Sequence, residues 1–272
     1  ENDIQARRLL GKVLGELGNY GEAVEQLLQA ARLAEADHDR NTAVDCYRNI
    51  LQYQADHLEA HRGLHRLPSG AALSDQEKQE LRQIRLRLLD ILVTQGPETR
   101  EELEQLAEIL QTDYPKDDTV WRTVAGVYRK LQPERAAEIY LKMLSVAIHQ
   151  SVWPEAAQHL EALRSLGSPP FQTLQDLIGI CSGTPLETQI TPERELLAQT
   201  YASRQDRQAA TAEYQALCEL LPDRLDLRLA LIENLDLTGQ HNRSRQEKQR
   251  LAEKYHSEGN LREAIQLIES AL

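Results

Sequence analysis

The sequence predicts an all-α protein, a right-handed superhelical α-solenoid of antiparallel helix hairpins, and three observations carry that expectation. Only one Phe and two Trp occur among 272 residues, against abundant Leu, Ala, Gln, Glu and Arg, a balance that favours helices over sheets. Apolar residues recur at three- and four-residue intervals along most of the chain, the period of a helix with one buried face. The apolar faces also come in pairs separated by short polar turns, the signature of helical hairpins stacked as a repeat.

The N-terminal stretch opens with Leu10, Gly11, Leu14, Gly18 and Tyr20, followed by Ala23, Leu27 and Ala30 on a second face. The segment LPSGAALSDQE, 67–77, should break one helix at Pro68. It should start another at Ser74, with Glu77 three residues on completing a capping box. That helix runs over 74–95 to Gly96-Pro97, where proline can open the next one. In 117–131 Trp121, Val124, Ala125 and Tyr128 form a face, and Ala136, Tyr140 and Met143 follow after a shortened turn. Residues 182–192, SGTPLETQITP, read as a second loop. The clearest unit is 192–223: Leu197, Ala198 and Tyr201, a turn around Asp206, then Ala210, Tyr214 and Leu217, closed by Pro222. Leu231, Ile232, Leu235 and Gly239 repeat its first half.

These residues resemble the tetratricopeptide repeat, a 34-residue pair of antiparallel helices with a Leu-small-x-x-Tyr first helix and an Ala-marked second. Its small residues let the two backbones approach closely. The spacing departs from 34 in places: Ala23 to Ala43, Ala136 to Ala156 and Ser244 to Ala264 are each 20 residues apart. There one helix is expected to serve as the second of one pair and the first of the next, buried on two sides. Three segments follow, 1–67, 74–181 and 192–272, packed as one continuous solenoid.

The resemblance implies that first helices line a concave groove for a peptide or partner helix. The residues it places there are Arg8, Lys12, Arg122, Arg129, Glu195, Gln199 and Glu233, a groove basic toward the N-terminal and middle parts and acidic toward the C-terminus. Candidate aromatic anchors are Trp121, Tyr128, Trp153 and Tyr201. A carboxylate clamp for acidic C-terminal tails would want Asn where Lys12 and Gly126 stand, so a chaperone co-factor role is disfavoured. The reading is therefore a non-catalytic protein–protein interaction scaffold or adaptor. The alternatives are a regulatory peptide-sensing module and the repeat segment of a larger protein with catalysis elsewhere.

Composition excludes several other classes. A formal net charge of -12 repels phosphate backbones and disfavours nucleic acid. No run of about 18 apolar residues could span a membrane. Cys46, Cys181 and Cys218 are odd in number and far apart, which points to buried thiols in a reducing compartment, the cytoplasm. No nucleophile elbow and no glycine-rich phosphate loop occurs, and no cofactor is expected. His57, His61 and His65 lie at i, i+4 and i+8, a spacing that can chelate zinc. Glu59, however, follows the first His by two residues and points to another side of the helix, so the triplet reads as a solvated edge beside Ala60 and Leu64. The final hairpin, LAEKYHSEGNLREAIQLIESAL (251–272), keeps its apolar stripe to Leu272 with no polar capping helix. That stripe implies further repeats, a partner or self-association.

Overall fold

The computed structural model describes residues 2–66, 74–167 and 169–271, and every regular element among them is helical. The expected break at Pro68 lies outside these residues. The chain divides into two compact units, Glu1–Leu131 and Gln132–Leu272. The first contains α1 (Asn2–Glu16), α2 (Tyr20–Ala36), α3 (Arg40–Tyr53), α4 (Leu58–Arg66), α5 (Asp75–Gln95), α6 (Arg100–Asp113) and α7 (Asp118–Leu131). The second contains α8 (Pro133–His149), α9 (Trp153–Arg164), α10 (Phe171–Cys181), α11 (Thr191–Ser203), α12 (Arg207–Leu220), α13 (Leu225–Leu237), α14 (His241–Ser257) and α15 (Leu261–Ala271).

Two kinds of turn recur in this architecture. In the tight kind a helix ends on a residue of positive φ: Gly18, His38, Ser151, Gln205, Gly239 or Gly259, with φ between 58° and 83°. The next residue returns its N–H to the carbonyl five positions back, as in Asn19 N to Leu14 O (2.9 Å) and Asp206 N to Tyr201 O (3.0 Å). This is a Schellman closure, which satisfies carbonyls the helix end would otherwise orphan. The carbonyl of that same residue then accepts from the small residue four positions on, as in Ala23 N to Asn19 O and Ala210 N to Asp206 O, both 3.0 Å. The recurrent Ala or Ser is therefore the fourth residue of each following helix.

The other turn takes four residues: Gln54–His57, Tyr114–Asp117 and Leu221–Arg224. Leu221 N bonds Leu217 O (2.8 Å) and Arg224 N bonds Leu221 O (3.1 Å), and the other two repeat the pattern. Pro115 and Pro222 sit second in two of these turns and push Tyr114 and Leu221 out of the helical region, at φ −127° for both. The 20-residue spacings now have a cause. Helices α2, α8 and α14 are each 17 residues long, and each is followed by a three-residue tight turn. As expected, α2 packs against α1 and α3 and α14 against α13 and α15, while α8 packs against α9 and α10, both of which follow it.

Small residues set the helix spacing. Ala30, Ala31, Ala34, Ala43 and Cys46 join Leu27 and Ile50 in the core of the first unit. Ala198 and Ala210 join Tyr214, Leu217 and Leu231 in the second. Gly11 allows close approach directly, since a Cβ there would lie 2.6 Å from Leu27 Cγ. In the first unit α1 also touches α3, and α5 touches α7, so odd-numbered helices form one layer and even-numbered helices the other.

The capping box is present: Glu77 N donates to Ser74 Oγ (3.3 Å) and Ser74 N to Glu77 Oε2 (2.9 Å). The loop expected at 182–192 is more than a connector, because Leu186 and Ile190 are buried in the core. Buried Arg194 straps it, donating to Ser182 Oγ (2.7 Å) and Glu187 Oε1 (3.2 Å), and lies 3.7 Å from Glu213. Burial in turn raises the Glu213 carboxyl above its ordinary pKa.

Candidate partner-binding face

The odd-numbered layer of the first unit holds Arg8, Lys12, Arg122 and Arg129, on its two outer members α1 and α7. Helix α7 is held firmly. Asp117 Oδ1 accepts from Val120 N (3.1 Å) at the helix start and from Arg82 of α5 (2.8 Å). The Arg82 guanidinium keeps the Asp117 carboxyl below the usual carboxylate range. Trp121 donates its indole N–H to Pro115 O (3.2 Å), while Tyr128 is buried. Arg122, Gly126 and Arg129, at i, i+4 and i+7, share one side of α7. A Cβ built on Gly126 meets nothing within 4 Å, so this side is open.

The expected basic strip is not basic throughout. Arg8 lies 3.6 Å from Asp45 of α3, and Arg122 lies 2.6 Å from Asp118 on its own helix. Such exposed pairs contribute little to stability, but they cancel charge locally. In the second unit Glu195 faces Arg224 at 3.3 Å, which offsets the expected acidity, while Gln199 and Glu233 are exposed. The physical reason is common to all three: each counter-charge stands on the same helix, on a neighbouring helix or in the turn before one, where single-residue mapping onto groove positions does not look.

Between α3 and α5 the same layer opens into a cleft where Val44, Leu81, Ile84 and Leu64 of α4 stand among the polar Arg40, Asn41, Asp45, Arg48, Glu77 and Glu80. Arg48 spans it to Glu80 with two bonds of 2.7 and 2.6 Å. Sequence reasoning missed this feature. Its residues come from three helices, so no periodicity within one helix points to it. Tyr201, an expected anchor, is engaged inside the second unit: it lies edge-on to Phe171 (5.3 Å between centroids) and accepts from Gln175 (2.6 Å). Trp153 is half-buried at the start of α9.

The histidine triplet does not form a solvated edge. His61 is buried, with Nε2 2.8 Å from Ala55 O, because it faces the turn that leads into α4. His57 Nδ1 accepts from Ala60 N (3.3 Å) and His65 Nδ1 from Arg85 Nε (3.3 Å). Burial lowers the pKa of both, so all three imidazoles serve the α4 hairpin. No group of three His, Cys, Asp or Glu side chains placed to hold a metal occurs among the described residues. Burial raises the Cys46, Cys181 and Cys218 thiols to about 11, which keeps them protonated and poor nucleophiles near neutrality. No helix among the described residues is long and apolar enough to cross a membrane.

Together these features define a class: an all-helical repeat protein of antiparallel hairpins with tetratricopeptide-like spacing. Solved structures similar to it include the tetratricopeptide domain of P58(IPK), 12% identical, with a TM-score of 0.29 and 99% and 97% of the two chains covered. A yeast Sti1 TPR2AB-domain in complex with pHSP90 is 13% identical, with a TM-score of 0.29 and 98% of each chain covered. The Thermus thermophilus tetratricopeptide protein TTC0263 is 19% identical, with a TM-score of 0.21 and 85% and 98% covered. At these scores the fold assignment stands on the helices and turns of this chain itself. No family model and no curated protein matches the sequence.

Proposed function

We propose that this chain is a non-catalytic scaffold that binds another protein through the odd-numbered helix layer of its first unit. The observation that carries the reading is the open side of α7, where Arg122 and Arg129 flank the bare backbone at Gly126. A glycine inside a helix costs about 1 kcal/mol relative to alanine, and here no neighbour requires it. A partner backbone seated against α7 would require it. The cleft between α3 and α5, with Val44, Leu64, Leu81 and Ile84 among charged Arg40, Asp45, Arg48, Glu77 and Glu80, supplies a second contact on the same layer, suited to an apolar side chain with charged flanks. The protonated thiols, the structural histidines and the absence of a nucleophile motif support a role without catalysis, cofactor or metal. Buried, unpaired cysteines suit a reducing compartment such as the cytoplasm.

Charge reversal tests this. Arg122→Glu with Arg129→Glu should weaken capture of the native partner roughly tenfold or more, since a desolvated Arg contact contributes on the order of 2 kcal/mol. The unfolding midpoint should stay unchanged. Undiminished capture would remove α7 from the interface.

A further inference from the structure

Helix α4 is the shortest α-helix among the described residues, nine residues long with Gly63 inside it. So short a helix is marginal in water on its own, and the glycine weakens it further. It therefore depends on its two ends and its packing, and a histidine serves at each end. His57 is the residue before the helix: its carbonyl accepts from His61 N (3.1 Å) and its ring Nδ1 from Ala60 N (3.3 Å). That ring caps the helix start as an Asn or Asp side chain would. In the last turn His65 Nδ1 accepts from Arg85 Nε of α5 (3.3 Å). Both bonds require a ring nitrogen that accepts, and an imidazolium has none, because both of its nitrogens donate.

The charges around each ring do not rescue a cation. A proton on His57 would also set a positive charge against the helix N-terminus. The carboxylates near it are already engaged: Glu59 by Arg32 of α2 (2.8 Å) and Asp56 by Arg87 of α5 (2.6 Å). His61, the next ring along, holds its Nε2 2.8 Å from Ala55 O. From α3, Tyr47 faces α4 at Gly63, with its hydroxyl donated to Glu35 (3.0 Å). Around His65 the charges are Arg85, Arg66 on α4 itself, and Glu102 and Asp113 of α6. Arg62 already holds Glu102, and Asp113 holds Arg85. A cation in a last turn gains from the helix dipole. Here it would stand 3.3 Å from a buried guanidinium that is tied in place, and that repulsion is the larger effect.

We propose that α4 is an acid-released latch: protons taken up on His57 and His65 remove its cap and its bond to α5, and the helix leaves α3 and α5 while the second unit keeps its fold. Both rings are held neutral in the closed state, and both have their pKa lowered, first by burial. The open state therefore binds more protons, so the latch is firm above about pH 6.5 and loosens as pH falls below it. Leu64, beside His65, lines the cleft between α3 and α5, so release of α4 dismantles that cleft. The latch holds or fails independently of any partner, because it is read from protons and from α4 alone.

Hydrogen exchange on the 272-residue chain tests it, at about pH 7.5 and about pH 5 with intrinsic amide rates divided out. Opening of 58–66 should rise at least about tenfold on acidification, with a ceiling of about a thousandfold for two groups of ordinary pKa near 6.5. Residues 207–220 of α12 should keep their protection. His57→Asn with His65→Gln keeps an acceptor at each place without a titrating ring, and should hold α4 closed at both pH values. His256→Gln, at an exposed position, should leave the pH response intact. In the wild type, the His57 and His65 ring carbons should titrate by NMR over the same range in which α4 loses protection. Unchanged protection of 58–66 at low pH would overturn the proposal. So would a response that survives in the double variant, a simultaneous loss across α12, or rings that take up protons while α4 stays closed.

Discussion

The substitution Gly63→Ala puts the packing account at risk most sharply. In an exposed helix this change stabilises by about 1 kcal/mol. Here the new Cβ would lie against Tyr47 Cε2 and Cζ, inside ordinary carbon contact of about 3.5–4.0 Å by roughly 1 Å or more. Tyr47 is 2% exposed, and its hydroxyl donates to Glu35 Oε1 at 3.0 Å. Moving the ring forfeits part of its burial, worth about 2–3 kcal/mol, and a hydrogen bond worth about 1 kcal/mol. Shifting α4 off α3 instead carries an overpacking cost of about 1–3 kcal/mol. Either way the net effect is a loss of about 2 kcal/mol. Gly126→Ala is the internal control, because its Cβ meets nothing within 4 Å; it should gain about 1 kcal/mol. Trp121 reports on the first unit and Trp153 on the second, and the chain has two Trp. Urea unfolding followed by fluorescence in a Trp153→Phe background therefore isolates the relevant transition. The two variants should move its midpoint in opposite directions, by about 1 M and about 0.5 M urea. A Gly63→Ala variant as stable as the parent would refute the close-approach reading of the α3–α4 pair.

Three further outcomes follow from the same geometry. Asp117 has its pKa depressed, first by Arg82, so its contribution is present above the unfolded value near 4 and is lost as pH falls through the folded value; Asp117→Asn should flatten the acid limb of the stability profile and leave pH 7–8 slopes unchanged. Asp206 caps α12 by accepting from Ala209 N (3.1 Å), so Asp206→Ala should cost about 1 kcal/mol in thermal or urea unfolding. Native protein should resist thiol labelling at neutral pH, while unfolded protein should take up three labels, one for each cysteine. Fast labelling of the native state would contradict their burial.

Much of the fold was legible because its determinants are local. The small residue in the fourth helical position, Gly18 and Gly239 in the turns, and Pro115 and Pro222 after helix ends can all be read along the chain. The double use of α2 and α14 was visible through the spacing of their small residues, Ala23 to Ala43 and Ser244 to Ala264. The turns at His38, Ser151 and Gln205 were harder, since ordinary residues there take the left-handed conformation that sequence reasoning assigns to glycine. The candidate face was less legible because its chemistry is non-local. Arg8 meets Asp45, and Arg48 meets Glu80, 32 residues away; no periodicity reveals which charges will cancel. The burial of His61 likewise depends on the turn that it faces.

The most direct measurement of the central claim is a residue-level cross-link map of the chain with the partner captured from its native source. The account predicts contacts on α7 around Arg122, Gly126 and Arg129 and along the α3–α5 cleft beside Arg48 and Glu80. Contacts confined to α2, α4 and α6 would contradict it.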